Sequence, residues 1–265
     1  MTCLNCKSKK FKNQFISFSK VNYKVCADCF CVYQDPITKL DYSESYWQGA
    51  IDLEGVKRNF TEERNFKVKN WYGDTIKYLN KNKNISVLDI GCGLGFFLSS
   101  LNTSIKKYGV EQSSYAINYM KKNFNNINLI QGGIEKIKDF NIKFDVVMLY
   151  HVIEHLPNPS EAIPLIKEVT KPGGVLILGT PNAGSFFATY FGKNFRHYIP
   201  AHTCLYNLQG IKKLLLKNSF KVFKIEKPFF KTAYNSIKNF FRLFNPKKVS
   251  PPFYGSIITL YCINK

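Results

Sequence analysis

No run of 18 or more apolar residues occurs in this 265-residue chain. A helix that crosses a bilayer is therefore not expected. The start, Met1-Thr2-Cys3-Leu4-Asn5-Cys6, lacks the apolar core of a secretory signal. A cytoplasmic protein is expected. Internal repeats and low-complexity segments are absent, which argues against solenoid and fibrous architectures. Acids are scarce: 18 Asp and Glu face 38 Lys and Arg, a formal charge of +20. The imbalance sharpens towards the end, where residues 205–265 hold 12 basic residues and one acid, Glu226. Such a surface favours anionic partners: nucleic acid, acidic lipid, or phosphorylated and nucleotide-linked substrates. The alternative is a Lys/Asn/Ile-rich composition with no specific partner.

A hydrophobic content of 45%, with 15% aromatic, is that of a globular chain. The length suits one α/β domain with a small appendage. Eight cysteines are present. Four form two pairs, Cys3-x-x-Cys6 and Cys26-x-x-Cys29. In a reducing compartment this spacing reads as metal binding rather than disulfides. Each CxxC turn aims two thiolates at one ion, and two turns complete a tetrahedral, closed and therefore structural Zn²⁺ site. Cys31 falls in a short alternating stretch and reads as an apolar strand residue.

The chain divides into a ribbon (1–40), a helical linker or lid (41–84) with a helix from Thr61 to about Asn80, and an α/β domain (85–265) ending in a basic segment. From Ile85, strands and helices alternate. Apolar runs at 86–90, 108–111, 127–130, 144–150, 175–179, 220–225 and 256–262 predict seven strands. Helical faces are carried by Phe96–Leu101, Ala116–Met120, Ala162–Val169 and Leu208–Leu215. The predicted fold is α/β: a Rossmann-like, doubly wound seven-stranded sheet with a small N-terminal zinc ribbon.

The first of those strands runs into Asp89-Ile90-Gly91-Cys92-Gly93-Leu94-Gly95. Glycines there let the backbone turn tightly and approach a ligand. The spacing is G-x-G-x-G, not the dinucleotide G-x-G-x-x-G. Glu111 ends the next strand, where a carboxylate can accept both hydroxyls of a ribose. Residues 85 to about 225 resemble the class I S-adenosylmethionine (SAM)-dependent methyltransferases. Val87–Gly95 resembles their first motif and Tyr108-Gly109-Val110-Glu111 the acidic second. Phe144–Val147 resembles the fourth strand, His151–Pro159 the loop after it, and Lys171-Pro172-Gly173-Gly174 the turn into the fifth. The resemblance implies that Asp89, Gly91 and Gly93 hold the methionine end of SAM, that Glu111 holds the ribose, and that Gln112 flanks adenine. Cys92 and Tyr150 complete the candidate lining. Gly133 stands where the family often has an acid for the adenine amine, so contact there is assigned to backbone and Ile134.

His151-Val152-Ile153-Glu154-His155 spells a zinc-peptidase signature, H-x-x-E-H. Pro157 and Pro159 follow too closely for a long metal-site helix. The resemblance places this loop beside the transferred methyl group. Methyl transfer needs alignment and exclusion of water, and a hydroxyl acceptor also gains from a general base, for which His is suited. His155 and His151 are the first catalytic candidates; shaping of the loop by Glu154 and His155 is the alternative. A second polar cluster holds Arg196, His197, Tyr198 and His202. It suits an oxygen-rich or anionic acceptor, with His197 a third catalytic candidate; a hydrogen-bonded loop is the alternative. Between 232 and 244, Ala233, Ile237, Phe240, Phe241 and Phe244 share a helical face. Core packing is the expected use, and peripheral contact with an acidic membrane the alternative.

The arrangement also resembles bacterial sugar C-methyltransferases with an N-terminal zinc module. Those carry a further C-terminal domain, for which this length leaves no room. The favoured expectation is O-methylation of a small anionic or sugar acceptor: nucleotide-linked, or a surface-glycan intermediate of polysaccharide biosynthesis. The runner-up is a zinc-ribbon rRNA or tRNA base methyltransferase, so nucleic acid is a permitted but not a favoured partner. Strand four lacks Asn/Asp-Pro-Pro-Tyr and Pro-Cys, which argues against adenine amino-group and cytosine C5 chemistry.

Overall fold

The computed structural model describes residues 2–38, 47, 72–229 and 235–265. Most of the helix expected from Thr61 therefore lies outside the described residues, as does Ala233; residues 72–79 are helical.

Seven strands form the main sheet. They are β4 (Ser86–Ile90), β5 (Lys106–Glu111), β6 (Ile127–Gln131), β7 (Phe144–Tyr150), β8 (Thr170–Pro181), β10 (Phe220–Glu226) and β11 (Ile257–Asn264). Their order is β10-β11-β8-β7-β4-β5-β6. β4 pairs in parallel with β5 and β7, and β8 with β7, whereas β11 runs antiparallel between β8 and β10. All seven predicted strands are present.

The strands read as continuous apolar runs because both faces of the sheet are covered. Leu88, Val147, Leu149 and Leu178 pack on one face, against Ile163 and Ile166 of α3 (Pro159–Val169) and Ile211 and Leu215 of α5 (Leu208–Lys217). Their neighbours Val87, Val146, Met148 and Ile177 pack on the other, against α1 (Phe96–Ser99) and α2 (Ser114–Asn123). Adjacent residues of one strand thus serve opposite cores. Each fully buried aliphatic side chain contributes about 1.5–3 kcal/mol. Ser113 caps α2 by accepting from the Ala116 N–H, and Pro159 opens α3 where its missing N–H is harmless.

The N-terminal region forms three antiparallel strands, β1 (Phe11–Ile16), β2 (Asn22–Cys26) and β3 (Val32–Gln34). A fourth strand comes from the other end of the molecule. β9 (Cys204–Leu205) pairs with β3, Val32 opposite Leu205 and Tyr33 opposite Cys204. The ribbon is thus one sheet with part of the α/β domain, an arrangement that local sequence does not announce. Two short helices remain: α4 (Phe186–Phe191), which follows β8, and α6 (Ile237–Arg242). The predicted core role of the 232–244 stripe is not what the structure shows. Ile237, Phe240, Phe241 and Phe244 all face solvent.

Candidate functional site

β4 is buried along its length and delivers Asp89 and the glycine turn to the C-terminal edge of the sheet. Gly91 and Gly93 have φ of 70° and 55°, the left-handed region that glycine enters freely. At Gly91 a Cβ would lie 2.6 Å from Val152 Cγ2, so the turn also needs glycine for space. Glu111, at the end of β5, is buried and braces this turn. One carboxylate oxygen accepts from the Gly93 N–H at 2.9 Å, the other from the Ser113 N–H at 2.9 Å. Asp89 lies beneath the turn. Burial, then the nearby Glu111 charge, pushes its carboxyl up to about 8.

Above the turn lies a cavity of about 610 Å³. Of the residues assigned to the cofactor, Gly91, Gly93, Glu111, Gln112, Gly133 and Ile134 line it. Asp89, Cys92 and Tyr150 are not on its wall. The Cys92 thiol packs against Met120 Sδ at 3.8 Å, and the Tyr150 hydroxyl meets Thr259 Oγ1 at 3.0 Å within the sheet core. The Gly133 position proves instructive. The carboxylate of Glu135, two residues on, accepts from the Gly133 N–H at 3.1 Å and lines an adjoining recess with Gln112 and Gln131. An acid is therefore present beside Gly133, displaced by two residues from the expected position. The glycine cradle, two carboxylates and this recess fit a cationic, ribose-bearing cofactor.

The opposite wall is the loop after β7. The H-x-x-E-H segment is not a metal-site helix: His151 has φ 55°, and only Ile153–His155 turn, as a 3-10 segment. The strained His151 backbone is held by its N–H bond to the Gly179 carbonyl at 2.8 Å. Both cavity imidazoles have defined tautomers, because an oxygen acceptor requires a proton on the facing nitrogen. His151 Nδ1 donates to Glu154 Oε1 at 3.0 Å, and His155 Nδ1 donates to the Ala201 carbonyl at 2.8 Å. In each neutral ring the lone pair then resides on Nε2. Glu154 is fully buried, and its other oxygen accepts from Thr180 Oγ1 at 3.0 Å. Burial alone would raise its pKa; the hydrogen bond and charge of His151 outweigh it and hold the carboxyl at about 2.

The second polar cluster is not arranged as an open acceptor surface. Its loop does reach the cavity, but through Ala201 and Thr203. His202 is buried, with Nδ1 donating to the His197 carbonyl at 2.7 Å; burial, then the charge of His155, lowers its pKa to about 3. His197 stacks behind His202, its Nε2 buried and without a hydrogen-bond partner. Tyr198 packs on Phe15 and Tyr23 of the ribbon, and Arg196 contacts Ser250. These side chains fix the loop rather than face an acceptor.

The ribbon itself contributes to the site. Its Ile37 and Thr38 line the cavity, as does Trp47, whose indole N–H donates to Ser113 Oγ at 2.9 Å. Gln34, fully buried, donates its amide to the carbonyls of Pro200 at 2.8 Å and His202 at 2.9 Å. Tyr23 donates to the Ile199 carbonyl at 2.8 Å. Sequence reasoning missed Gln34 and Thr38, since nothing local pairs them with a loop some 165 residues away.

The sulfur atoms of Cys3, Cys6, Cys26 and Cys29 all lie within 4.8 Å of one another. Tetrahedral Zn–S bonds of about 2.3 Å need S···S separations of about 3.8 Å; Cys3–Cys29 at 3.6 Å and Cys6–Cys26 at 3.5 Å fit. Cys31, expected merely as an apolar strand residue, is buried with its sulfur 3.0 Å from that of Cys29.

A family model described as a methyltransferase domain matches residues 81–223, more than half of the chain. The ubiquinone biosynthesis O-methyltransferase of Rickettsia canadensis is 32% identical over 121 residues, 44% of this chain and 48% of that protein. The tRNA U34 carboxymethyltransferase of Desulfotalea psychrophila is 28% identical over 145 residues, 49% of this chain and 45% of that protein. The chain spans about half the length of these curated relatives. A solved SAM-dependent methyltransferase from Thermotoga maritima superposes with a TM-score of 0.56 at 20% identity, over 78% of this chain and 96% of that one. The glycine turn, the carboxylate at the tip of β5, the strand order and the family match agree: the chain belongs to the methyltransferase-domain family and has the fold of the SAM-dependent methyltransferases.

Proposed function

We propose that the protein transfers the methyl group of SAM to a hydroxyl of a small acceptor, with His151 as general base. The observation that carries this reading is the His151–Glu154 pair: an imidazole on the cavity wall, backed at 3.0 Å by a fully buried carboxylate. A buried carboxylate stabilises the imidazolium that forms when Nε2 takes a proton, and it fixes the tautomer that can take it. His155, backed by a neutral carbonyl, is suited to orienting the acceptor. Bound SAM supplies an electrophilic methyl on a sulfonium. Glu111 would face its ribose and Gln112 with Glu135 its adenine, while Asp89, buried behind the glycine turn, would act on its amino group from outside the cavity wall. Val152, Leu156 and Pro157 give the cavity an apolar wall that excludes water from the acceptor. The likeness to ubiquinone biosynthesis O-methyltransferases supports a hydroxyl acceptor. It lends nothing to the sugar or glycan acceptors expected from sequence. We also assign the four-cysteine cluster to a structural Zn²⁺, on the donor set and its sulfur spacing.

The test is transfer of labelled methyl from SAM to a panel of phenolic, polyprenyl-phenolic and sugar-nucleotide hydroxyls. Labelling of a hydroxyl is expected, with His151→Gln lowering kcat by roughly 10²–10⁴ at neutral pH. Undiminished turnover in that variant would refute the base assignment. The second reading, an RNA base methyltransferase, draws on the +20 charge and the likeness to a tRNA-modifying enzyme. Label entering RNA with every small hydroxyl unlabelled would establish it instead. No RNA gel shift at physiological salt would remove it.

A further inference from the structure

We propose that the exposed apolar face of α6, with the aromatic residues of α4 beside it, docks the protein on an anionic lipid bilayer. Ile237, Phe240 and Phe241 stand at i, i+3 and i+4 on α6, and Phe244, in the turn just after it, packs its ring on Phe240 at 5.6 Å. That face is outward: the four are 77%, 51%, 66% and 69% exposed. On α4, Phe186 is 73% exposed and stacks on Tyr190 at 6.0 Å. The two helices are tied together by the segment after α6. Asn194 Nδ2 donates to the Pro246 carbonyl and accepts at its own carbonyl from the Ser250 N–H, each at 2.9 Å; Phe253 packs on Phe187 at 4.5 Å. Large apolar groups scattered singly over a surface are ordinary, but four within eight residues, with a stacked pair on α4, are not.

Charge decides the occupant. Residues 227–265 contain seven Lys and Arg and no acid. Lys238, Lys247 and Lys248 are exposed beside the aromatic face. Aromatics flanked by basic residues, on a helix lying flat, are suited to the boundary between acidic headgroups and acyl chains. A second copy of this chain would set like charges against each other. The position is also apt. β4, β5, β7 and β8 run parallel, so α4, which follows β8, leaves the same sheet edge that carries the glycine turn and Glu111. Docking there sets the cavity's side of the sheet towards the bilayer. Docking does not depend on which hydroxyl is methylated.

The experiment is cosedimentation of the full chain with phosphatidylcholine vesicles and with mixed phosphatidylcholine–phosphatidylglycerol vesicles. Binding to the mixed vesicles alone is expected, and it should weaken as salt is raised. The Phe240→Ser/Phe241→Ser/Phe244→Ser protein should partition at least about tenfold less. So should a Lys238→Glu/Lys247→Glu/Lys248→Glu protein, whose apolar face is intact. SAM calorimetry on each reports whether the fold is retained, and Phe241→Ser alone serves if the triple variant fails to fold. Absence of wild-type binding to the acidic vesicles overturns the proposal. So does binding that none of these substitutions weakens, or a dimer in sedimentation that the aromatic substitutions dissociate.

Discussion

Asp89 is an acid that the fold keeps protonated near neutral pH, since burial and Glu111 push its carboxyl up to about 8. If it meets the cationic amino group of SAM, it must ionise on binding. Calorimetry at pH 7 in buffers of different ionisation enthalpy should therefore detect release of most of one proton per SAM. Affinity should tighten about tenfold between pH 6 and pH 7, because both lie below the shifted value. Asp89→Asn should abolish the proton release and weaken binding. A buffer-independent heat would remove Asp89 from the methionine end. Glu135 offers a second check, since Glu135→Ala should weaken SAM by roughly 1–3 kcal/mol if its carboxylate serves the adenine amine. Unchanged affinity would leave it a partner of the Gly133 N–H alone. The glycine turn and Glu111 were legible in the sequence because strand, turn and acid are contiguous. Glu135 was in plain view but two positions from the expected one, and a backbone turn moves a side chain by that much.

At the scale of elements, the ribbon and the 196–203 loop act as one unit. Ile199, Pro200 and His202 present carbonyls to Tyr23 and Gln34, and Ala201 presents its own to His155. If the cysteine cluster holds Zn²⁺, its removal should release that loop before it disturbs the sheet. Hydrogen exchange after chelation should show lost protection at the His202 amide, which donates to the Ile199 carbonyl, while β4 and β5 stay protected. Gln34→Leu should mimic the loop effect with zinc retained, at a cost of about 1–3 kcal/mol for the carbonyls it strands. Equal protection in all three states would separate the ribbon from the site. The CxxC pairs were readable because metal geometry demands short spacing. The pairing of β3 with β9 was not, because a two-residue strand has no periodicity and its partner is distant. Arg196 and Tyr198 illustrate the same limit: residue type suggested recognition, but the ribbon and the C-terminal segment occupy those side chains. For α6, periodicity revealed a face without revealing whether anything covers it.

Across the whole molecule, the buried titratable groups set opposing pH slopes. His202, held at about 3, and His197, held well below its ordinary value by burial and by His202, are neutral in the folded chain. Each contributes stability that is complete above the unfolded value of about 6.5 and is lost as the pH falls below it. Asp89 acts in the opposite sense. Its folded value of about 8 exceeds the unfolded value of about 3.9, so its cost grows as the pH rises from about 4 to 8. Below pH 6.5 the two imidazoles outweigh the one carboxyl by one proton, so stability should rise with pH by about 1.4 kcal/mol per unit. Between 6.5 and 8 only Asp89 of these three still titrates differently in the two states, and stability should fall at about the same rate. Glu154, held at about 2, adds its own loss only below about pH 4.5. Denaturant unfolding of the ligand-free protein should thus peak near pH 6.5. Asp89→Asn should flatten the alkaline limb and about double the slope of the acid limb, while His202→Gln should cancel the net proton difference that drives the acid limb. A stability that is level from pH 5 to 8 in the wild-type protein would mean that water reaches these side chains. The closed core beneath the cavity would then not be the low-dielectric support that the proposed ionisation of Asp89 and the His151–Glu154 pair both require.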